Sequence, residues 1–242
     1  MARNDSGWVK ELFASSVREV TPAAEFEAVV ALYVPFVHDP DTARHCASVL
    51  SDIERQRAER FSAERGKHHF QQRRAFRRYC GAAALGSSRN LSEISFKETD
   101  KGRPYLEEFP HIWFSFSSCR SGFLGAWSWT HAIGVDFEDR TRNLETVELA
   151  RELFSEAEAE AVRAAEGQTR TLTFLKLWSL KEAALKSIGE GLPRGLDAFW
   201  FALAPRVRIV YAPDDCGGPE HFRAHTIEGT DTCAALVLRM EA

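Results

Sequence analysis

The chain has 242 residues, of which 44% are hydrophobic and 27% are charged, and its net charge is −4. This length suits one large or two small hydrophobic cores, and the negative charge argues against a protein whose whole surface binds nucleic acid or an acidic membrane. The five cysteines are scattered and form no C-x-x-C pair, which indicates a reducing cytoplasm without a disulfide framework or a zinc site.

The first half begins with MARNDSGWVKELFASSV, which predicts a short amphipathic helix and not a signal peptide. No later segment approaches the roughly 20 apolar residues of a membrane span. VVALYVPFV (29–37) predicts a strand, and HHFQQRRAFRRYCGAAALG (68–86) predicts a long helix. Three short alternating strands close this half, namely EISFKE, HIWFSFSS and GFLGAWSW. The region 54–78 is strongly basic, which favours either an anionic ligand or a solvated helix face.

The second half repeats this order. AIGVDFE (132–138) predicts a strand, TLTFLKLWSLKEAALKSIG (171–189) predicts a long helix, and short strands follow. ELFSEAE (152–158) resembles ERFSAER (59–65), and matching elements lie roughly a hundred residues apart.

Local signals agree with these helices. Ser155 and Glu158 form a capping-box pattern, and Gly189 stands where a helix commonly ends. The proline- and glycine-rich stretch 213–219 predicts a surface turn. We therefore predict an α+β fold with pseudo-two-fold duplication of two similar lobes, each an antiparallel sheet meander with packed helices. The lobes would span residues 1–129 and 130–242, with the active site in the cleft between them.

The strand GVDFED ends in acids. Because side chains alternate along a strand, Asp136 and Glu138 point the same way. Two adjacent carboxylates are either solvated or bridged by a hard cation such as Mg²⁺ or Mn²⁺. The strand alone leaves both possibilities open.

The segment WSLKEAALKSIGEGL (178–192) places Trp178, Glu182 and Lys186 on one stripe of a helix, with Lys181 beside them. This is either an ordinary surface ion pair or part of a site. The glycine-rich exit that follows leaves room for a ligand to approach the backbone.

Two further segments are candidates for binding. DKGRPYL (100–106) predicts a rigid turn that presents Arg103, although a plain hairpin loop has the same pattern. FSFSSC (114–119) is an alternating strand with Ser117 and Ser118 at its end, where hydroxyl groups meet either an oxyanion or solvent. The chain has no phosphate-binding P-loop, dinucleotide fingerprint or nucleophile elbow.

In this order, the segments resemble the Sfp-type 4′-phosphopantetheinyl transferase family. The shared pieces are K-x-H-F-x-x-x-R-x-x-x-R (67–78), G-R-P, F-S-F-S-S, G-V-D-F-E and W-S-L-K-E-A-x-x-K-x-x-G-x-G-L. The resemblance covers about residues 50–192. It implies a transferase that moves the phosphopantetheine arm of coenzyme A onto a serine of an apo acyl or peptidyl carrier protein. It also implies Mg²⁺ or Mn²⁺ as cofactor and release of 3′,5′-ADP. Because two lobes in one chain would supply both walls of the cleft, we expect a monomer.

The resemblance also implies roles for particular residues. The metal ligands would be Asp136, Glu138 and Glu182, and the diphosphate would be held by Lys181 and Lys186. Glu182, directly or through a water, would be the base that accepts the proton of the carrier serine. The nucleotide side of coenzyme A would be bound by His69, Arg74, Arg78, Arg103, Ser117 and Ser118.

The chain departs from the family pattern at two positions. Ser118 replaces a histidine that commonly binds phosphate, and His69 replaces a common arginine, so the grip on the 3′-phosphate of coenzyme A is expected to differ. The alternatives are another metal-dependent phosphotransferase or phosphohydrolase that uses the same acids, or a non-catalytic coenzyme A binding module. Coenzyme A binding and carrier modification would separate these possibilities.

Overall fold

The computed structural model describes residues 5–16, 18–19, 26, 28–86, 89–141 and 144–240. The first half contains helices α1 (Asp5–Ser16), α2 (Pro40–Ser48), α3 (Asp52–Ala58) and α4 (Glu64–Ala84). Its strands are β1 (Arg18–Glu19), β2 (Val29–Pro35), β3 (Phe96–Glu98), β4 (Pro104–Leu106), β5 (Trp113–Cys119) and β6 (Gly122–Ser128).

The second half contains helices α5 (Thr146–Leu153), α6 (Glu156–Ala164) and α7 (Gly167–Ser187). Its strands are β7 (Ala132–Asp139), β8 (Trp200–Ala202), β9 (Arg208–Tyr211), β10 (Phe222–Glu228) and β11 (Thr232–Arg239). The predicted capping box starts α6, because the Ser155 hydroxyl accepts from the Glu158 amide while the Glu158 carboxylate accepts from the Ser155 amide. Gly189 follows α7 with φ +73°, as predicted for a residue that ends a helix.

Two antiparallel sheets organise the described residues. One has the order β1-β2-β6-β5 and the other has the order β10-β11-β7, while β3-β4 and β8-β9 form two separate ribbons. The predicted combination of helices with antiparallel sheets is confirmed. In the first half β2 pairs with β6, and β6 pairs with β5. In the second half β7 pairs with β11, and β11 pairs with β10. The first long strand of each half therefore lies beside its last strand, so neither sheet is the simple meander that was predicted.

Three clusters of buried apolar side chains form the core. The first lies within residues 9–127 and the second within residues 150–237. The third contains side chains of β2, β6, β7 and β11, such as Ala31, Leu124, Val135 and Leu236, and therefore joins the two large sheets. The predicted division at residue 129 falls in the connection between β6 and β7, and the division into two lobes stays a prediction.

The helix α7 lies directly on β7. A side-chain β-carbon at Gly134 would lie 1.8 Å from the carbonyl oxygen of Ala183, so only glycine allows this approach. The predicted turn at 213–219 contains a 3₁₀ turn at Asp214–Cys216, in which Cys216 is buried, and a second 3₁₀ turn follows at Pro219–His221. Within the part of the chain that the structure describes, no helix is both long and apolar enough to cross a membrane.

Candidate active site

The centre of the site is an ion pair between β7 and α7. Lys186 Nζ lies 2.7 Å from Asp136 Oδ1 and donates to the carbonyl oxygen of Val135 at 3.0 Å. The Ser117 hydroxyl, from β5, donates to the same Asp136 Oδ1 at 2.8 Å. Three segments far apart in sequence therefore converge on one carboxylate oxygen.

The other two predicted acids lie close to this pair. Glu182 is one helical turn before Lys186 on α7, with Oε2 3.9 Å from the ammonium nitrogen. The pKa of Glu182 is raised, chiefly by burial and further by the negative charges of Asp136 and Glu138, while Lys186 acts in the opposite direction. Glu138 lies on the same face of β7 as Asp136. The three predicted acids therefore share one electrostatic environment.

Asp136 suits a hard cation in its chemistry. It is only 5% exposed, and its second carboxylate oxygen, Oδ2, is buried without a hydrogen-bond partner. Such an orphaned acceptor, next to two further carboxylates, matches the oxygen ligands that Mg²⁺ and Mn²⁺ prefer. Nevertheless, within the described ranges no three His, Cys, Asp or Glu side chains are already gathered closely enough to hold a metal ion.

Lys181 does not join this cluster, which is at odds with its predicted role in binding diphosphate. Its side chain is completely buried, and its ammonium lies 2.8 Å from the equally buried carboxylate of Glu158. It also donates to the carbonyl oxygens of Leu196 and Phe199. These contacts fix α7 to α6 and to the segment before β8, and they engage the Lys181 ammonium within the protein.

The predicted cations of the basic helix α4 are largely engaged within the protein. Arg74 and Arg78 both pair with Glu54, at 3.1 and 2.7 Å. His69 Nε2 lies 2.9 Å from the carbonyl oxygen of Cys119. The structure therefore brings none of these three into direct contact with Asp136 or Lys186.

A cavity of about 220 Å³ opens beside Lys186. Its walls are Arg77 of α4, the loop 101–104, β5 and the glycine-rich segment 189–191. Burial and the neighbouring arginines lower the pKa of Arg77 to about 10, so it remains charged at neutral pH. Arg103 lies on the same wall, with its guanidinium carbon 4.2 Å from the ring centre of Trp113. Lys101 and Glu190 form an ion pair between the loop and the glycine-rich segment.

Arg77 was missed by sequence reasoning. The sequence contains arginine at 73, 74, 77 and 78, and it gives no sign of which members are paired with acids elsewhere in the chain. Helical spacing does not separate them either, since residue 77 shares a face with both 73 and 74.

The two predicted serines separate on β5. Ser117 contacts Asp136. The Ser118 side chain lies on the opposite face of the strand, together with that of Phe116. Phe116 is a wall of the cavity and packs against Phe96. Ser118 therefore lies on the side of β5 that faces α4.

Comparisons with known proteins decide the family. A family model described as the 4′-phosphopantetheinyl transferase superfamily matches residues 132–237. A putative 4′-phosphopantetheinyl transferase from Synechocystis sp. is 30% identical over 182 residues, which cover 73% of this chain and 71% of that protein. The chain belongs to the 4′-phosphopantetheinyl transferase superfamily.

Other members of the superfamily are also similar. The 4′-phosphopantetheinyl transferase Sfp of Bacillus subtilis is 27% identical over 57% of this chain and 60% of its own length. The transferase HetI of Nostoc sp. is 27% identical over 71% of this chain and 73% of its own length. This agreement identifies the chain as an enzyme of the phosphopantetheinyl transferase type and confirms the resemblance seen in the sequence.

The superfamily match runs from the start of β7 nearly to the end of β11. It therefore contains Asp136, Glu138, Glu182 and Lys186, while the basic helix, Arg103 and Ser117 precede it. The acids and the lysine that converge in the structure thus belong to the part of the chain with the superfamily pattern.

Proposed function

We propose that this phosphopantetheinyl transferase moves the 4′-phosphopantetheine arm of coenzyme A onto a serine of an apo carrier protein and releases 3′,5′-ADP. The observation that carries the proposal is the convergence of Asp136, Glu182 and Lys186 beside the cavity that contains Arg77 and Arg103. A cluster of acids with a lysine suits a diphosphate and its metal ion, and an arginine-lined cavity suits a nucleotide phosphate.

We propose that Asp136, Glu138 and Glu182 hold a divalent cation, Mg²⁺ or Mn²⁺. The orphaned Oδ2 of Asp136 and the mutual electrostatic effect of the three acids support this assignment. When bound, such a cation neutralises charge on the diphosphate of coenzyme A. Lys186 contacts Asp136 Oδ1 and would hold the carboxylate in place, while the unpartnered Oδ2 would be left for the cation.

The remaining steps involve this chain's own side chains. Lys186 stabilises the negative charge that develops on the leaving 3′,5′-ADP as the bond to the β-phosphorus breaks. Glu182 accepts the proton of the attacking serine hydroxyl, directly or through a water. Burial and the nearby acids raise its pKa, which makes its carboxylate a stronger base than that of an ordinary glutamate.

The nucleotide end of coenzyme A is proposed to lie in the cavity between α4 and the loop 101–104. Arg77 and Arg103 supply the positive charges that line it, although Arg77 also pairs with Glu98 at 3.2 Å, whereas Arg74 and Arg78 share Glu54. His69 and Ser118 stand where relatives commonly carry arginine and histidine, so we expect Arg77 to contribute more of the phosphate binding in this chain.

The element order supports the two-lobe arrangement. Apart from α1 and β1, each half as described has one long strand, then three helices, then four strands, and these strands pair in the same pattern. We propose that these halves arose by duplication and that their junction forms the site. Since β5, β7 and α7 of a single chain already supply its contacts, we expect the enzyme to act as a monomer.

The decisive experiment incubates the protein with purified apo carrier proteins, coenzyme A and Mg²⁺, and measures intact masses. Transfer adds about 340 Da to one carrier serine, the mass of one phosphopantetheine group. A carrier with that serine changed to alanine is the matched control. Cleavage of coenzyme A without a gain in carrier mass would instead identify a phosphohydrolase, and binding without either change would identify a coenzyme A binding module.

A further inference from the structure

Asp139, the last residue of β7, has a buried carboxylate that the proposed chemistry does not use. It is 5% exposed, and among the described residues it accepts hydrogen bonds from Cys119, at the end of β5, and from Arg120 and Ser121 of the tight turn between β5 and β6. The Arg120 amide donates to Oδ2 at 2.8 Å, the Ser121 hydroxyl donates to Oδ1 at 2.5 Å, and the Cys119 thiol donates to Oδ1 at 3.3 Å.

This carboxylate lies at one end of a seam between β5 and β7. The two strands belong to different sheets, and side chains join them. The Val135 amide donates to the Ser115 hydroxyl at 2.9 Å, and the Ser117 hydroxyl donates to Asp136. The contacts advance in the same direction along both strands, from residues 115 and 135 to the turn and Asp139.

Asp139 cannot touch the reacting groups itself. Side chains alternate along β7, so Asp139 points to the face of Val135 and Phe137, away from the face of Asp136 that meets α7. It also lies three residues further along the strand, a distance of about 10 Å. Any influence on Asp136 must therefore pass through the turn and β5.

We propose that Asp139 is a positioning residue, which fastens the β5–β6 turn to the end of β7 and so keeps Ser117 on Asp136. The inference rests on the proposed function. With Ser117 and Lys186 both on Oδ1, the Asp136 side chain is fixed and its Oδ2 remains available. Groups that hydrogen-bond directly to a metal ligand, as Ser117 does to Asp136, change metal affinity by about 10–100-fold when they are removed, and Asp139 acts on this contact through the turn, so its own effect should lie at the lower end.

The test measures Mn²⁺ binding to the full-length protein by electron paramagnetic resonance, without coenzyme A. We expect Asp139→Asn to weaken Mn²⁺ binding by about 10-fold. The NH₂ group of asparagine would face N–H or O–H donors of residues 119–121, so at least one hydrogen bond is lost and the contact between β5 and β7 is loosened. Ser121→Ala removes one of the hydrogen bonds to Asp139 and should give a smaller loss of Mn²⁺ affinity. Val162→Ala, in the buried core of the second half, is the control that lowers stability without touching the seam.

Hydrogen exchange of the β5 backbone provides a readout that does not depend on a metal. Exchange over residues 113–119 should become faster in Asp139→Asn and in Ser121→Ala but not in Val162→Ala. Unchanged Mn²⁺ affinity and unchanged β5 exchange in a folded Asp139→Asn protein would overturn the inference.

The two proposals can fail separately. A wild-type protein that binds no Mn²⁺ would refute the metal site of the proposed function, and the exchange of β5 would then decide the role of Asp139. Should Asp139→Asn fail to fold, the same measurements on Ser121→Ala decide.

Discussion

Lys186 and Asp136 form an ion pair of 2.7 Å between α7 and β7, and the lysine side chain is 29% exposed while that of the aspartate is 7% exposed. The lysine therefore neutralises a buried carboxylate and still faces the cavity. The ammonium of Lys186 therefore has two opposite effects. Its positive charge attracts phosphate, and it repels a metal cation bound to the same carboxylate.

Lys186→Met should reduce transfer while leaving metal binding intact. We expect the turnover number to fall by about 100–1000-fold, since one charge-stabilising contact on the leaving group is lost. Mn²⁺ affinity should be equal or higher, because a competing positive charge has gone. A parallel loss of turnover and Mn²⁺ binding would show that Lys186 mainly holds Asp136 in place.

Glu182→Gln should lose more activity than Lys186→Met. The amide is uncharged and is not a base, so the variant loses both a proposed metal ligand and the group that accepts the serine proton. We expect weaker Mn²⁺ binding together with a turnover number below that of Lys186→Met, measured by mass spectrometry of the carrier. The reverse order of activities would assign Glu182 to structure only.

Lys181→Met should destabilise the protein without a specific effect on coenzyme A. Removing the buried ammonium leaves the Glu158 carboxylate unpaired, which typically costs about 3–5 kcal/mol of unfolding free energy. The double variant Lys181→Met with Glu158→Gln removes that unpaired charge and should be less destabilised than the sum of the single changes. A large rise in KM for coenzyme A in folded Lys181→Met would restore the predicted phosphate-binding role.

The two lysines also show what the sequence can and cannot predict. The capping box of α6 and the glycine at the end of α7 depend on neighbouring residues, and both predictions were confirmed. Lys181 and Lys186 are five residues apart, about 140° around the helix, so spacing indicates that they face different ways. Which of them is buried depends on Glu158, a partner on another helix that the sequence did not link to Lys181.

The same limit applied to the basic helix. Its arginines are adjacent in sequence, and their roles depend on distant acids: Glu54 pairs with Arg74 and Arg78, while Glu98 pairs with Arg77 at 3.2 Å. Asp139 provides another example: it is adjacent in sequence to the other acids of GVDFED, and alternation places it on the opposite face from Asp136, but only the structure shows that its partners lie in the turn of another hairpin.

Arg77→Gln should weaken coenzyme A binding more than chemistry. Arg77 lines the cavity and carries a positive charge at neutral pH, so we expect a rise in KM of about 10-fold with little change in the turnover number. The effect should be smaller with 3′-dephospho-coenzyme A if Arg77 faces the 3′-phosphate. Arg78→Gln is the matched control, since it breaks the pair with Glu54 and should lower stability with less effect on KM. Equal effects of both changes on KM would remove the distinction between the two arginines.

His69 should make the folded protein less stable in mild acid. Burial lowers the pKa of its imidazole, as do the charges of Arg73 and Arg65, although the carbonyl of Cys119 acts in the opposite direction. Below pH about 6.5 the unfolded chain therefore binds a proton at this residue that the folded protein does not bind, and the free energy of unfolding falls as the pH falls.

The measurement is urea unfolding at pH 5.5 and 7.5 for the wild type and for His69→Gln. The wild type should lose more stability between these two pH values than the variant loses, because glutamine has no titrating group. Carboxylates whose pKa values are lowered, such as Glu54, also stabilise the folded protein less as the pH falls. They are present in both proteins, so the difference between the two pH dependences isolates His69. An identical pH dependence in the two proteins would mean that His69 binds its proton equally well in the folded and unfolded states, and that its contact with Cys119 compensates for its burial.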